Sequence, residues 1–172
     1  MSGWGHLTRR FAGSLRPGGP AAVDVAWVES VLSATELVLW RRMYGPDRRH
    51  SVQVAREVER RLGAEATPPV LAAALLHDVG KIDSRLRTYG RVVATLTVKL
   101  VGRAEVSEWR RSRGLHRRIA LYVLHPQIGG DLLQLAGSDP LTVAWTREHH
   151  EPRDSWTVAA EIADVLDACD ND

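Results

Sequence analysis

The chain has 172 residues, 44% of them hydrophobic and 26% charged, with a net charge of +2. That length and balance fit one globular domain with a real core and exclude a disordered or bilayer-spanning chain. The near-neutral charge demands neither a nucleic-acid nor a membrane partner, and the single cysteine, Cys169, excludes a disulfide framework or a multi-thiolate zinc site.

The N-terminus carries arginines but no apolar signal segment, so a cytoplasmic location is expected. Residues 1–20 are rich in Gly, Pro and Arg and read as a loosely ordered arm. Within it Trp4, Leu7, Phe11 and Leu15 recur at helical spacing, so part of the arm could lie on the body as a short helix. Residues 21–172 form the domain. Val23, Trp27, Val31, Leu32 and Leu39 predict a helix over 21–43, and Gly45-Pro46 breaks it. Asp47 is placed to cap a helix running to about Leu62. Thr67-Pro68-Pro69 opens the helix of 70-VLAAALLHD-78, which Gly80 is expected to end.

Residues 86–101 and 115–124 read as helices, the first with an ambiguous β-branched run, 91-RVVATLTVKLV-101. His125 precedes Pro126, which biases it away from helical geometry and suits a junction between helices. A short helix then runs to Leu135, Gly137-Ser138-Asp139-Pro140 turns, and helices over about 141–149 and 156–169 close the chain. The pattern is all-α, a single bundle of about seven helices.

Five of the seven histidines, with two aspartates, form an ordered series: His50, His77-Asp78, His125, His149-His150 and Asp164. His6 and His116 sit in arginine-rich polar contexts and read as surface residues. Histidine and carboxylate without thiolate suit a divalent transition metal such as Mn, Fe, Co, Ni or Zn. Each member also has an ordinary structural explanation. His50 shares a helix face with Val54 and Val58, and His77 could cap a helix C-terminus. Asp78 at that same end is electrostatically misplaced unless Lys81 or a metal supplies positive charge. His125 could fill a loop, His149-His150 could be an exposed helix end, and Asp164 could be a flank residue beside the stripe of Ile162, Val165, Leu166 and Cys169.

Taken together, the series resembles the HD-domain metal-dependent phosphohydrolases, over about residues 47–169 and most closely in 75-LLHDVGKI-82. The resemblance implies an all-α fold in which His50, His77, Asp78 and Asp164 hold a metal. Within that superfamily, 125-HPQIG-129, 148-EHHE-151 and 163-ADVLDA-168 look like the HD-GYP phosphodiesterases. That likeness implies a second metal on His125, His149 and His150, with Asp78 bridging and Asp167 standing behind Asp164. The chain departs from it at 152-PRDSWTVAAE-161, where the Gly-Tyr-Pro loop of cyclic-dinucleotide recognition is missing.

The implied function is a metal-dependent phosphohydrolase that acts on a nucleotide or related phosphomono- or diester through a metal-activated water, using two ions. Asp78 and Lys81 are the catalytic candidates, Lys81 as a flexible charge for a phosphate oxygen, and the arginines around 85–91 and 110–118 could meet further phosphates. The alternative is a catalytically silent, metal-bearing module that binds a nucleotide-like ligand in a regulatory role. The expected partner is a small phosphorylated ligand. A nucleic-acid partner is disfavoured because no aromatic-basic motif accompanies the arginines.

Overall fold

The structure, a computed structural model, describes residues 18–171. The segment 1–17, with the expected N-terminal arm, its Trp4–Leu15 spacing and His6, lies outside the described residues. The described chain is helical throughout with no strand, as the sequence predicts, and the ambiguous run 91–101 is part of a helix.

The helices are α1 (Ala22–Val31), α2 (Ala34–Arg42), α3 (Gly45–Leu62), α4 (Pro68–Leu76), α5 (Lys81–Ser84), α6 (Thr88–Val101), α7 (Arg103–Glu108), α8 (Gly114–Val123), α9 (His125–Ala136), α10 (Pro140–Glu148) and α11 (Ala160–Asn171). The helix expected over 21–43 is two helices, because 33-SATE-36 forms a capping box. The Ser33 hydroxyl accepts from the Glu36 amide at 3.3 Å, and the Ser33 amide donates to the Glu36 carboxylate at 2.9 Å. Asp47 is no cap. Tyr44 precedes the first turn of α3, and Asp47 is buried within that turn on the Arg91 guanidinium.

α4 is the centre of the molecule. Its sequence offers no polar face, and every residue from Val70 to Leu76 is buried, so it must be surrounded. α1, α2, α3 and α10 pack on it, and α11 lies along α3. The amphipathic α3 turns Ser51, Val52, Val54, Ala55 and Val58 inward. Trp40 of α2 donates its indole N–H to the Ser51 hydroxyl at 3.1 Å, so the large buried ring brings no unpaired donor into the core. A second, smaller cluster of Leu86, Ala94, Val106, Ile119 and Val123 holds α6, α7 and α8 together beside the main core.

Gly80 does not end a helix by left-handed geometry. Its φ of -64° is ordinary helical backbone, and α4 has already stopped at Leu76. Gly80 is required by close approach: a Cβ there would run into the His125 carbonyl and the Gly129 amide of α9. The contact presses the turn 77–80 against the start of α9. His125, expected to be non-helical before Pro126, is the first residue of α9; the break falls one residue earlier, at Leu124. No helix among the described residues is long and apolar enough to cross a membrane.

Candidate metal centre

His77, His125 and His149 are placed by one local device used three times. Each lies one or two residues past the end of a helix, α4, α8 and α10 respectively. Each donates its Nδ1–H to the carbonyl three residues back: Ala74 at 3.0 Å, Tyr122 at 2.7 Å and Thr146 at 2.9 Å. Carbonyls in the last turn of a helix lack the usual in-helix amide, and the imidazole supplies a donor there, shared at Tyr122 with the Leu124 amide. The bond also assigns the tautomer and turns Nε2 away from the helix.

The three Nε2 atoms point to a common place. All are buried, and none makes a hydrogen bond among the described residues. An unpaired polar atom in the interior is costly, and three together call for a common partner. Five imidazoles form a continuous chain: His50 to His77 (6.0 Å between centroids), His77 to His149 (5.3 Å), His149 to His125 (5.6 Å), and His150 against both His149 (4.1 Å) and His125 (5.2 Å).

Asp78 lies among them, 5% exposed, and its two oxygens face different ways. Oδ1 is 3.3 Å from His125 Nε2 and 3.9 Å from His149 Nε2, whereas Oδ2 is 3.5 Å from His77 Nε2. Two donor groups result, each with all its donor atoms within 4.8 Å of one another: His50, His77 and Asp170, and His125, His149 and His150. Asp78 stands between the groups.

The aspartate of the first group is Asp170. Its Oδ1 is 2.8 Å from His50 Nε2 and 3.5 Å from His77 Nε2. Asp164, the residue expected from the sequence, is not brought there. It is on the outside of α11, its carboxylate paired with the Arg153 guanidinium at 2.5 and 2.6 Å. Asp167 lies one turn before Asp170 and bonds Asn171. α11 begins at Ala160 and runs to Asn171, later at both ends than the sequence suggests. The signal for Asp170 was available: it follows the buried Cys169 and lies four residues after the buried Leu166, on the flank of the apolar stripe. His116 packs against Trp109 with centroids 4.9 Å apart, far from this arrangement in role, as its polar context predicts.

The electrostatics match the geometry. Burial alone would raise the Asp78 carboxyl, but Lys81 and His77 outweigh it and hold it well below the usual range. The closest contact is Lys81 Nζ to Asp78 Oδ2 at 2.5 Å. Burial opposes charge on His77, yet Asp78 and then Asp170 overcome it and raise the group to about 9. His149 moves the other way: burial and then repulsion from His77 push it well below its ordinary value. Burial also lowers His125, and His150 is lowered by desolvation among the rings and by His125. The helix ends add to this pattern, because α4, α8, α10 and α11 all deliver donors from their C-terminal, partially negative ends. Two carboxylates, five imidazoles and four negative helix ends, with Asp78, His77, His125 and His149 buried, His50 and Asp170 half-buried and His150 exposed, suit a divalent cation, and the unpaired Nε2 atoms fit one.

Comparison with protein families matches residues 47–172 to the HD domain, and the chain belongs to that family. Neither the curated proteins nor the solved structures include a significant match. The matched span contains every member of both donor groups and leaves α1 and α2 outside it.

Proposed function

We propose that this HD-domain chain is a metal-dependent phosphohydrolase acting on a nucleotide-like phosphoester. The observation that carries the reading is the Asp78 carboxylate set between two imidazole groups, with three buried Nε2 atoms aimed at the same space. His50, His77 and Asp170 would hold one ion and His125, His149 and His150 a second, with Asp78 shared. Such ions supply an activated water at neutral pH and a clamp on phosphoryl oxygens. The chain supplies the rest. Backbone carbonyls lock each Nδ1–H, so the rings cannot flip their donors away from the site. Lys81 keeps a cation on Asp78 and lies at the edge of an open cleft, where an ammonium can also take a phosphate oxygen.

A regulatory module that binds the ligand without turning it over is the second reading. It draws on the segment after His149-His150, which is short and folded back on α10. Trp156 donates to the Glu148 and Glu151 carbonyls at 3.0 Å, and the Thr157 amide donates to the Glu148 carboxylate at 2.7 Å. That closure leaves no extended recognition loop beyond α10.

The test is a metal count on the purified full chain, joined to hydrolysis assays on nucleotides and simple phosphodiesters with Mn. About two ions per chain and turnover of at least one phosphoester class are expected. Bound metal with specific nucleotide binding and no turnover identifies the module. A chain that takes up no transition metal from supplemented medium defeats both.

A further inference from the structure

Beside the histidine cluster, a cavity of about 410 Å³ opens to solvent. Its volume lies within the range of small-molecule sites. Its walls carry six cations, Arg42, Lys81, Arg85, Arg87, Arg91 and Arg118, against a single carboxylate, that of Asp47. The whole chain has a net charge of only +2, so this concentration of charge is local.

The cations are of two kinds. Arg91 is committed to the fold: it grips both Asp47 oxygens, at 2.5 and 2.6 Å, donates to the Leu86 carbonyl at 3.0 Å, and so ties α6 to α3. Lys81 is committed to Asp78. Arg42, Arg85 and Arg87 are exposed and pair with no carboxylate among the described residues. Like charges gathered around one concavity repel unless an anion joins them.

The wall is also held under strain. Arg85 is the one non-glycine residue with positive φ among those described, at φ 51° and ψ 21°. An L-residue with a side chain is disfavoured there and persists only where surrounding contacts enforce it. Arg118 of α8 supplies those contacts, donating Nε to the Ser84 carbonyl at 3.0 Å and Nη2 to the Arg85 carbonyl. One arginine thus secures the backbone that presents another. Arg110, Arg111 and Arg113, of equal promise in the sequence, are exposed and are not among the cavity's lining residues.

We infer that this cavity is a second-phosphate subsite and that the ligand is a small molecule with at least two phosphate groups. One phosphate reaches the Asp78–Lys81 edge, and another is gripped by Arg85, Arg87 and Arg42. The inference rests on the hydrolase reading only for what becomes of the first phosphate; binding of the second requires no turnover. Guanidinium groups suit this task because they take phosphate oxygens in pairs.

The test is calorimetric titration of the full chain in chelator with inorganic tripolyphosphate and, separately, with orthophosphate. Tripolyphosphate is expected to bind one per chain and at least roughly tenfold more tightly than orthophosphate, because only the longer anion spans both ends of the cavity. Arg85→Ala and the double variant Arg85→Ala/Arg87→Ala should each weaken it by roughly tenfold or more. Both side chains are exposed, so neither change threatens folding, and a metal count on each variant checks the neighbouring cluster. Equal affinity for the two anions, or tripolyphosphate binding indifferent to both variants, overturns the inference. Arginine-dependent binding without hydrolysis of any phosphoester upholds the subsite and removes the hydrolase reading. Hydrolysis of simple phosphoesters with arginine-independent tripolyphosphate binding does the reverse.

Discussion

The two donor groups flanking Asp78 differ in how the chain assembles them and in the charge they carry. His50, His77 and Asp170 come from α3, the end of α4 and the end of α11, so the group exists only when the whole domain is folded. His125, His149 and His150 come from two helices, α9 and α10, that follow one another and pack together. The first group has its own carboxylate and holds a proton on His77 to about 9. The second has none, and its imidazoles are held neutral. Asp78 is the carboxylate that touches the second group, at His125 and His149, and Asp170 adds a weaker pull on His150. The difference teaches that one buried aspartate must serve both groups, and that the two should respond differently to protons and to mutation.

The most severe way to break the pair is Asp78→Asn, which keeps the shape and removes the shared charge. Metal content should fall to near zero by mass spectrometry, and turnover should fall by roughly a thousandfold or more. Loss of a single ion would mean that the carboxylate is not shared. Separating the groups takes two further variants. Asp170→Ala and His149→Ala should each lower the metal count by about one per chain, from opposite sides of Asp78. A variant that empties both sides equally would merge the two groups into one.

Gly80→Ala attacks the alignment of the groups rather than either one. The added methyl meets the backbone of α9 at His125 and Gly129, so the helix must shift. Denaturant unfolding should show a loss of about 1–3 kcal/mol, the usual penalty for overpacking. Metal affinity on the His125 side should drop with it.

Protons sharpen the contrast further. In chelator, His77 is near 6.5 in the unfolded chain and about 9 in the folded one. Its contribution to stability is therefore complete below pH 6.5 and is lost as pH rises through 9. His125, His149 and His150 have lowered folded values, so the unfolded chain binds more protons and stability falls as pH drops below about 6.5. Melting temperature against pH should peak near 6.5; a curve still climbing at pH 9 would contradict the charge assigned to His77. The smallest effect belongs to Asp164→Ala. It breaks only an exposed surface pair with Arg153, should leave the denaturant midpoint almost unmoved, and should leave the metal count unchanged.

Much of this centre was legible because local sequence governs it. The apolar run before His77 requires a buried helix, and a buried helix that ends in His-Asp must place that pair in the interior. The clustering of the five imidazoles has the same origin: each sits at a helix end or on an apolar face. Asp164 and Asp170 were harder to tell apart, since α11 carries aspartates at 164, 167 and 170, three residues apart. Spacing alone cannot choose among positions that drift slowly around a helix. Packing against α3 makes the choice, and that contact spans the length of the domain. The division of 21–43 into α1 and α2 was readable in Ser33 and Glu36, whereas the left-handed Arg85 has no sequence signature, because the side chain that enforces it lies 33 residues away.

The three histidine caps have a bearing on how related sequences are interpreted. His77, His125 and His149 each answer to two requirements, one through Nδ1 and one through Nε2. A related chain without catalytic activity would still have reason to keep them, because each imidazole donates to a carbonyl in the last turn of a helix. Asp78 and Asp170 instead meet the imidazoles, and Asp78 also Lys81. In a lineage drifting away from chemistry, the aspartates would be the first to go, and their presence says more about a working centre than the histidines beside them.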